Sequence, residues 1–166
     1  MTPAITLDEL LEWNDEASRF WKAHLEANPA LLELPCDIGG VSSVRDFARH
    51  IWGVELRWAQ RAAGLPLTPR EELASLPDDK LYTMHEQAME AIRAMLANPA
   101  HDWNARLTLE AAPWLPAQFS NPSLRKVVAH GLLHSQRHYA QLATLVRAAG
   151  HPSGFRGDLL MSAALE

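Results

Sequence analysis

Four long segments of this sequence begin at residues that favour a helix start and end at residues that stop a helix. Thr6 and Glu9 have the spacing of a capping box, so the first helix is predicted over residues 7–27. The other three helices are predicted over residues 43–64, 78–97 and 123–149. Each segment ends at a glycine or just before an Asn-Pro pair, and both features disfavour a further helical turn.

Helices of roughly 20 residues joined by one long connection predict an all-α fold, a four-helix bundle with a long crossover loop between helices 3 and 4. This loop would span residues 100–120, with an extended piece where residues 106–110 alternate between polar and apolar. Residues 31–40 and the proline-containing residues 65–77 are predicted to be loops. The length of 166 residues fits a single domain over residues 1–166, with a tail from residue 151 that packs against the bundle or a partner.

The composition argues against nucleic-acid and membrane partners. The net charge is −5 and no run of lysine and arginine exceeds two residues, so the basic stripe typical of nucleic-acid binding is missing. No window of about 20 residues is apolar enough to cross a bilayer, and the N-terminus lacks a signal-peptide pattern. We therefore expect a cytoplasmic protein. The single cysteine, Cys36, excludes a cysteine-based zinc site within one chain.

The last predicted helix carries His130, His134 and His138, which are spaced four residues apart. Histidines at positions i and i+4 project from the same face of a helix, so two neighbouring imidazoles can reach one metal ion. The outer two lie about 12 Å apart along the axis at 1.5 Å per residue, which is too far for them to share an ion easily. The spacing therefore predicts one ligand pair, either 130/134 or 134/138.

A helical wheel favours the second of these pairs. At about 100° per residue, His138 falls inside the apolar arc of the helix, whose members are Val127, Gly131, Leu142 and Leu145. His130 falls towards the polar side, at the rim. A pair of inward histidines needs a third ligand from a facing helix, and the candidates are His24, His50 and His85.

Two other kinds of cofactor-binding bundle are disfavoured. A di-iron carboxylate site needs inward Glu-x-x-His motifs on two helices. The residues three positions before His50 and before the two histidines of the pair are Phe47, Gly131 and Ser135. A haem held by two histidines would need a larger opening in the bundle. A mononuclear histidine site is therefore the main hypothesis.

Residues 133–141 (LHSQRHYAQ), in a helix that ends at Gly150, resemble the last-helix signature of the DinB/YfiT-like superfamily. That signature has two histidines four residues apart and then a glutamine. Residues 50–58 (HIWGVELRW) are similar to the first-ligand helix of the same superfamily. The resemblance spans nearly the whole chain in helix order and length. It implies a four-helix bundle in which His50, His134 and His138 hold a divalent ion, usually zinc or nickel.

The resemblance also implies a function. Enzymes resembling this superfamily are metal-dependent transferases and isomerases that work with low-molecular-weight thiols such as mycothiol or bacillithiol. The expected protein is thus a metal-dependent thiol S-transferase or isomerase with a small-molecule substrate, assembled as a homodimer. The residues around the ligands depart from the superfamily pattern, since Leu133 replaces a common asparagine and Gln136-Arg137 replaces Thr-His. These departures leave the ligands intact and the substrate undefined.

Glu55 is the remaining candidate site residue. It lies within the apolar stripe of the second helix, so its carboxylate needs a partner. It could accept a hydrogen bond from a ligand imidazole or act as a catalytic base. The alternative for Glu55 is a structural bond to an arginine or to solvent at the bundle end. For the whole chain, the alternative to an enzyme is a non-enzymatic, stress-linked metal-binding bundle protein.

Overall fold

The computed structural model of the chain describes residues 4–110 and 115–164. Within these residues there are five α-helices: α1 (Leu7–Ala27), α2 (Val44–Ala63), α3 (Arg70–Ser75), α4 (Thr83–Leu96) and α5 (Leu124–Ala148). Short 3-10 helices occupy Pro29–Glu33, Asp78–Lys80, Ala117–Phe119 and Leu159–Met161, and the described residues form no β-strand. None of the described helices combines the length and the apolar character that crossing a membrane requires. The predicted all-α class is confirmed.

The ends of the first two helices follow the capping signals in the sequence. Thr6 and Glu9 form the predicted capping box of α1, in which Glu9 Oε2 accepts from the backbone N–H of Thr6 at 2.5 Å. Ser43 Oγ accepts from the backbone N–H of Asp46 at 3.1 Å and caps α2. Gly64 ends α2 in the left-handed conformation, with φ of 66°, which glycine adopts without the steric cost of a Cβ atom.

Two predictions for the middle of the chain are wrong. The residues after Gly64, expected to form a loop, contain α3, which begins directly after Pro69. Proline is well tolerated at a helix start because its missing N–H is not needed there, and Glu71 and Glu72 interact favourably with the dipole of the first turn. The third predicted helix, expected from residue 78, begins at Thr83 as α4 and is preceded by a separate 3-10 turn.

The four long helices surround one hydrophobic core. Helix α2 packs against α4 and α5, while α1 packs mainly against α5 and also against α4. The core contains side chains from every long helix that are at most 1% exposed, among them Trp21, Phe47, Met89 and Leu132. The arrangement is therefore a helical bundle, and residues in the middle of α2 and α5 can meet.

The connection between α4 and α5 spans residues 97–123 and includes residues 111–114, which lie outside the described part of the chain. Leu107 N donates to Pro122 O at 2.9 Å and Leu109 N donates to Ser120 O at 2.8 Å. These bonds and an isolated antiparallel bridge between Arg106 and Ser123 correspond to the predicted extended piece. The crossover itself stays a prediction.

The C-terminal tail lies along α1. Trp13 Nε1 donates to Gly157 O at 3.1 Å, and the rings of Phe155 and Trp21 lie 5.3 Å apart between centroids. The tail therefore packs against the bundle, which is one of the two positions predicted for it.

Candidate metal centre

His50 of α2 meets His134 and His138 of α5 where these two helices pack together. Each histidine offers a ring nitrogen, and the three nitrogens lie within 4.8 Å of one another. The ring centroids of His134 and His138 are 4.3 Å apart, and His50 lies 5.4 Å from His134 and 5.0 Å from His138. The structure thus brings together the three residues that the superfamily resemblance implies as metal ligands, which we call the triad.

Local geometry explains how the two helices present these rings. His134 and His138 are four residues apart, so they lie on one face of α5, one turn from each other. Phe47 is fully buried on α2 and lies nearly parallel to the His50 ring, at 12° between planes. The same phenylalanine meets the His138 ring edge-on at 5.1 Å. Phe47 therefore supports two of the three imidazoles.

The nitrogen positions fit a bound metal ion. His134 Nε2 and His138 Nε2 lie 3.1 Å apart. Two nitrogens bound to one zinc ion at about 2.0–2.1 Å, with tetrahedral to octahedral angles, lie roughly 2.9–3.4 Å apart. Imidazole is a good ligand for zinc and other divalent transition-metal ions, so the all-histidine donor set suits such an ion.

The environment of the triad keeps its imidazoles neutral near pH 7. Burial lowers the pKa of His50 to about 4 and the pKa of His134 to about 3, and the neighbouring His138 adds to both shifts. Burial also lowers the pKa of His138, and the positive charge of Arg137 acts in the same direction on all three rings. Metal ions bind the unprotonated nitrogen, so these nitrogens are available as ligands at neutral pH.

Gln141 orients one of the triad imidazoles. His138 Nδ1 donates to Gln141 Oε1 at 2.6 Å, which leaves the Nε2 lone pair of His138 facing His134. An acceptor on the far ring nitrogen of a metal-binding histidine fixes its tautomer and its orientation. In the sequence, Gln141 is part of the last-helix signature, but its bond to His138 is visible only as an i, i+3 spacing, which many residue pairs share.

The other histidines considered as ligands lie elsewhere. His24 stacks on Phe20 of its own helix, with ring centroids 5.8 Å apart. His85 is 1% exposed, and both its ring nitrogens bond to carboxylates. His130 is exposed and meets Trp58 edge-on at 5.2 Å, in agreement with the rim position predicted for it.

Glu55 is buried and bonded to one residue from each of the other long helices. Its carboxylate accepts from Asn14 Nδ2 of α1, from Ser135 Oγ of α5 at 3.0 Å, and from His85 Nδ1 of α4 at 2.6 Å. Within the described residues, none of its hydrogen bonds joins a histidine of the triad. The carboxylate therefore has partners, as its place in an apolar stripe requires, but among the described residues they are neither a triad imidazole nor an arginine. Glu55 approaches the triad through Ser135, which follows His134 in α5.

His85 lies between two carboxylates. Its Nδ1 faces Glu55, and its Nε2 faces Asp15 at 2.9 Å. Burial alone would lower the pKa of His85, but the charge of Glu55 and the bonds to both carboxylates outweigh burial and raise this pKa to about 9. The bond to His85 in turn lowers the pKa of Asp15, which also accepts from Arg93 at 2.9 Å. A buried imidazolium therefore links α1, α2 and α4.

Comparison with known proteins identifies the family. The sequence profile of the DinB family matches residues 2–158, a range that includes all three histidines of the triad. No curated protein is detectably similar in sequence. Because the profile match covers nearly the whole chain, and because the fold is a helical bundle, the chain belongs to the DinB family.

Proposed function

We propose that the chain binds one divalent metal ion, zinc or nickel, through His50, His134 and His138. The observation that carries this proposal is the meeting of three neutral imidazoles from two helices, with ligand nitrogens within 4.8 Å of one another. Imidazole is a common ligand for both metals.

The number of protein ligands supports a catalytic site rather than a structural one. Within the described residues, no fourth histidine, cysteine or carboxylate joins the cluster. Structural zinc sites have four protein ligands, whereas catalytic sites keep one position for water or substrate. The bundle also has a continuous apolar core of its own, so the ion is not needed to hold a small fold together.

We propose that the protein is an enzyme of the thiol S-transferase type that acts on a low-molecular-weight thiol. A bound divalent ion would act as a Lewis acid and favour the thiolate form of a thiol at the open position. In the reaction, the thiol sulfur bonds to a carbon of an electrophile, the leaving group departs with its electron pair, and the thiol proton passes to solvent. His50 and His134 are only partly buried, which supports access of a small molecule. The choice of a thiol is supported by the resemblance to thiol-dependent members of the superfamily.

For Glu55 we propose a positioning role. A catalytic base must come within hydrogen-bond reach of the proton that it removes. The Glu55 carboxylate instead accepts hydrogen bonds from Asn14, His85 and Ser135. Its bond to Ser135 would fix the rotation of α5 about its axis and thereby the direction of the His134 ring.

We propose that the functional unit is a single-domain chain, residues 1–166, that acts in the cytoplasm as a homodimer. One apolar core shared by all four long helices supports a single domain. A net charge of −5 without a basic stripe supports a small-molecule substrate over nucleic acid. The homodimer is supported by the superfamily resemblance alone.

The test is metal-dependent consumption of a thiol. Purified protein is stripped with a chelator, reloaded with zinc or nickel, and incubated with a thiol and a panel of electrophiles while free thiol is measured colorimetrically. We expect thiol consumption by the reloaded wild type, and none by the stripped protein or by His50→Ala. If no electrophile of the panel gives metal-dependent thiol consumption, and if metal removal lowers the Tm of the protein strongly, the non-enzymatic metal-binding function is favoured instead.

A further inference from the structure

A groove of about 520 Å³ lies between α1, α5 and the C-terminal tail. The residues that line it include Trp13, Gln136, Arg137, Ala140, Phe155 and Asp158. Binding sites for small molecules have volumes of about 300–1,000 Å³ and combine apolar walls with a few polar groups. This groove has aromatic walls, one cationic side chain and one carboxylate, which suits a small polar ligand.

Arg137 borders both the groove and the triad. It precedes His138 in α5, and its Nη2 atom lies 3.4 Å from His138 Nε2 while its side chain lines the groove. The side chain is exposed, and within the described part of the chain its guanidinium forms no ion pair. A ligand that extends from the triad into the groove would therefore pass a cation that has no anionic partner.

The surroundings of the triad are positively charged. The Arg137 guanidinium lies beside His138, with Nη2 at 3.4 Å from His138 Nε2. Among the described residues, no carboxylate joins the three histidines as a further ligand. A divalent cation bound there would therefore add to this positive charge. Asp158 lines the same groove but does not pair with Arg137, so it disfavours an anion elsewhere in the groove. The charges thus favour a ligand whose anionic group lies at Arg137.

Building on the proposed function, we infer that Arg137 binds a carboxylate or similar anionic group of the thiol substrate, whose remainder lies in the groove beside Trp13 and Phe155. A guanidinium presents several N–H donors in one plane and can bond both oxygens of a carboxylate. An ion on His138 Nε2 would occupy the lone pair to which Arg137 now donates, which would release the guanidinium for the substrate. Arg137 is then a specificity-determining residue that selects acidic thiols over neutral ones.

The test compares two thiols of equal length, 3-mercaptopropionate and 3-mercapto-1-propanol. Their binding to the zinc-loaded full chain is measured by isothermal titration calorimetry, after the zinc content has been determined. We expect wild type to bind the acidic thiol about tenfold more tightly, which corresponds to one hydrogen bond to a charged group. Arg137→Gln should lose this preference and bind the neutral thiol as wild type does. Arg147→Gln makes the same charge change roughly 15 Å along the same helix and should keep the preference.

The outcomes separate this inference from the proposed function. The role of Arg137 is overturned if Arg137→Gln still prefers the acidic thiol, or if wild type shows no preference for it. Either result leaves the proposed function in place, provided that both thiols bind only to zinc-loaded protein. Equal weakening of both thiols in Arg137→Gln also overturns it, because the residue would then act on the metal site and not on the anion. If neither thiol binds zinc-loaded wild type, the proposed function and this inference fail together. Helical circular dichroism of each variant checks that the fold is retained.

Discussion

Replacing Glu55 with glutamine should destabilise the fold strongly, because it removes the charge of a buried ion pair. Glu55 and His85 are each 1% exposed, and the imidazolium relies on this carboxylate for charge balance. Removing one partner of a buried pair costs about 3–5 kcal/mol. Glutamine keeps an oxygen that can accept from Ser135, and Asp15 still faces His85, so we expect the lower end, about 3 kcal/mol.

Thermal and urea unfolding, followed by helical circular dichroism, measure this loss. For a chain of this size each kcal/mol corresponds to roughly 2–4 °C, so the Tm should fall by about 6–12 °C. Glu33→Gln is the matched control, because Glu33 pairs with Arg45 at the surface, where ion pairs contribute little. Equal effects of the two substitutions would refute the reasoning, since burial would then make no difference.

The same pair should make stability depend on pH. The pKa of His85 is about 9 in the folded chain, against an ordinary value of 6.5. A raised pKa means that folding favours the protonated ring, so the stabilisation is fully present below pH 6.5 and is lost as the pH rises through about 9. At about 1.4 kcal/mol per pKa unit, the wild type should lose on the order of 3 kcal/mol over this range. Glu55→Gln should lose much less. A wild-type free energy of unfolding that stays constant from pH 6.5 to 9 would contradict the assignment of a buried imidazolium.

Three further predictions concern α2 and α5. Gln141→Ala should weaken zinc binding about 10–100-fold, because the His138 imidazole loses the bond that orients it. Competition with a chromogenic chelator measures this affinity, and an unchanged value would exclude the orienting role of Gln141. Tyr139→Phe should lower the free energy of unfolding in urea by only about 1 kcal/mol, because Ser18 and Trp52, which bond the Tyr139 hydroxyl, also bond each other. A loss several times larger would show that the bond between Ser18 and Trp52 depends on this hydroxyl. Gly53→Ala should raise the unfolding free energy by about 0.5–1 kcal/mol, because its new Cβ would meet only flexible side-chain ends at 3.4 and 3.5 Å. Gly131→Ala should raise the unfolding free energy less than Gly53→Ala or should lower it, because its Cβ would lie 3.2 Å from Trp58 Cβ. A Gly131→Ala variant that is more stable than Gly53→Ala would be inconsistent with this packing.

The sequence predicts that His134 and His138 lie together because their relation is local. His134 and His138 belong to one helix, so their spacing and the position of His138 in the apolar arc follow from helix geometry alone. The third ligand does not follow from spacing, since His24, His50 and His85 all lie on other helices. The packing of α2 beside α5 decides which of these histidines lies near the pair, and that packing cannot be predicted from spacing within one helix. The choice of His50 therefore comes from the superfamily resemblance.

For the buried polar residue Glu55, too, the sequence predicts local features but not contacts between helices. A carboxylate in an apolar stripe must have partners, and that much can be predicted from the sequence. Its partners His85, Asn14 and Ser135 lie 30, 41 and 80 residues away in the chain, so their identity depends on how four helices pack. Helix α3 is missed for a local reason, because the prolines of residues 65–77 predict a loop, whereas Pro69 lies just before the first turn of α3, where a proline does not interrupt a helix.

The central claim is that His50, His134 and His138 hold one metal ion, and metal content per chain tests it most directly. Wild type, His134→Ala and His130→Ala are loaded with zinc, dialysed and subjected to elemental analysis. His130 is the matched control because it is an exposed histidine one turn before His134, with ring centroids 5.9 Å apart. We expect one zinc ion per chain in wild type and in His130→Ala, and a large loss in His134→Ala. Equal zinc content in the two variants would contradict the triad as the metal site.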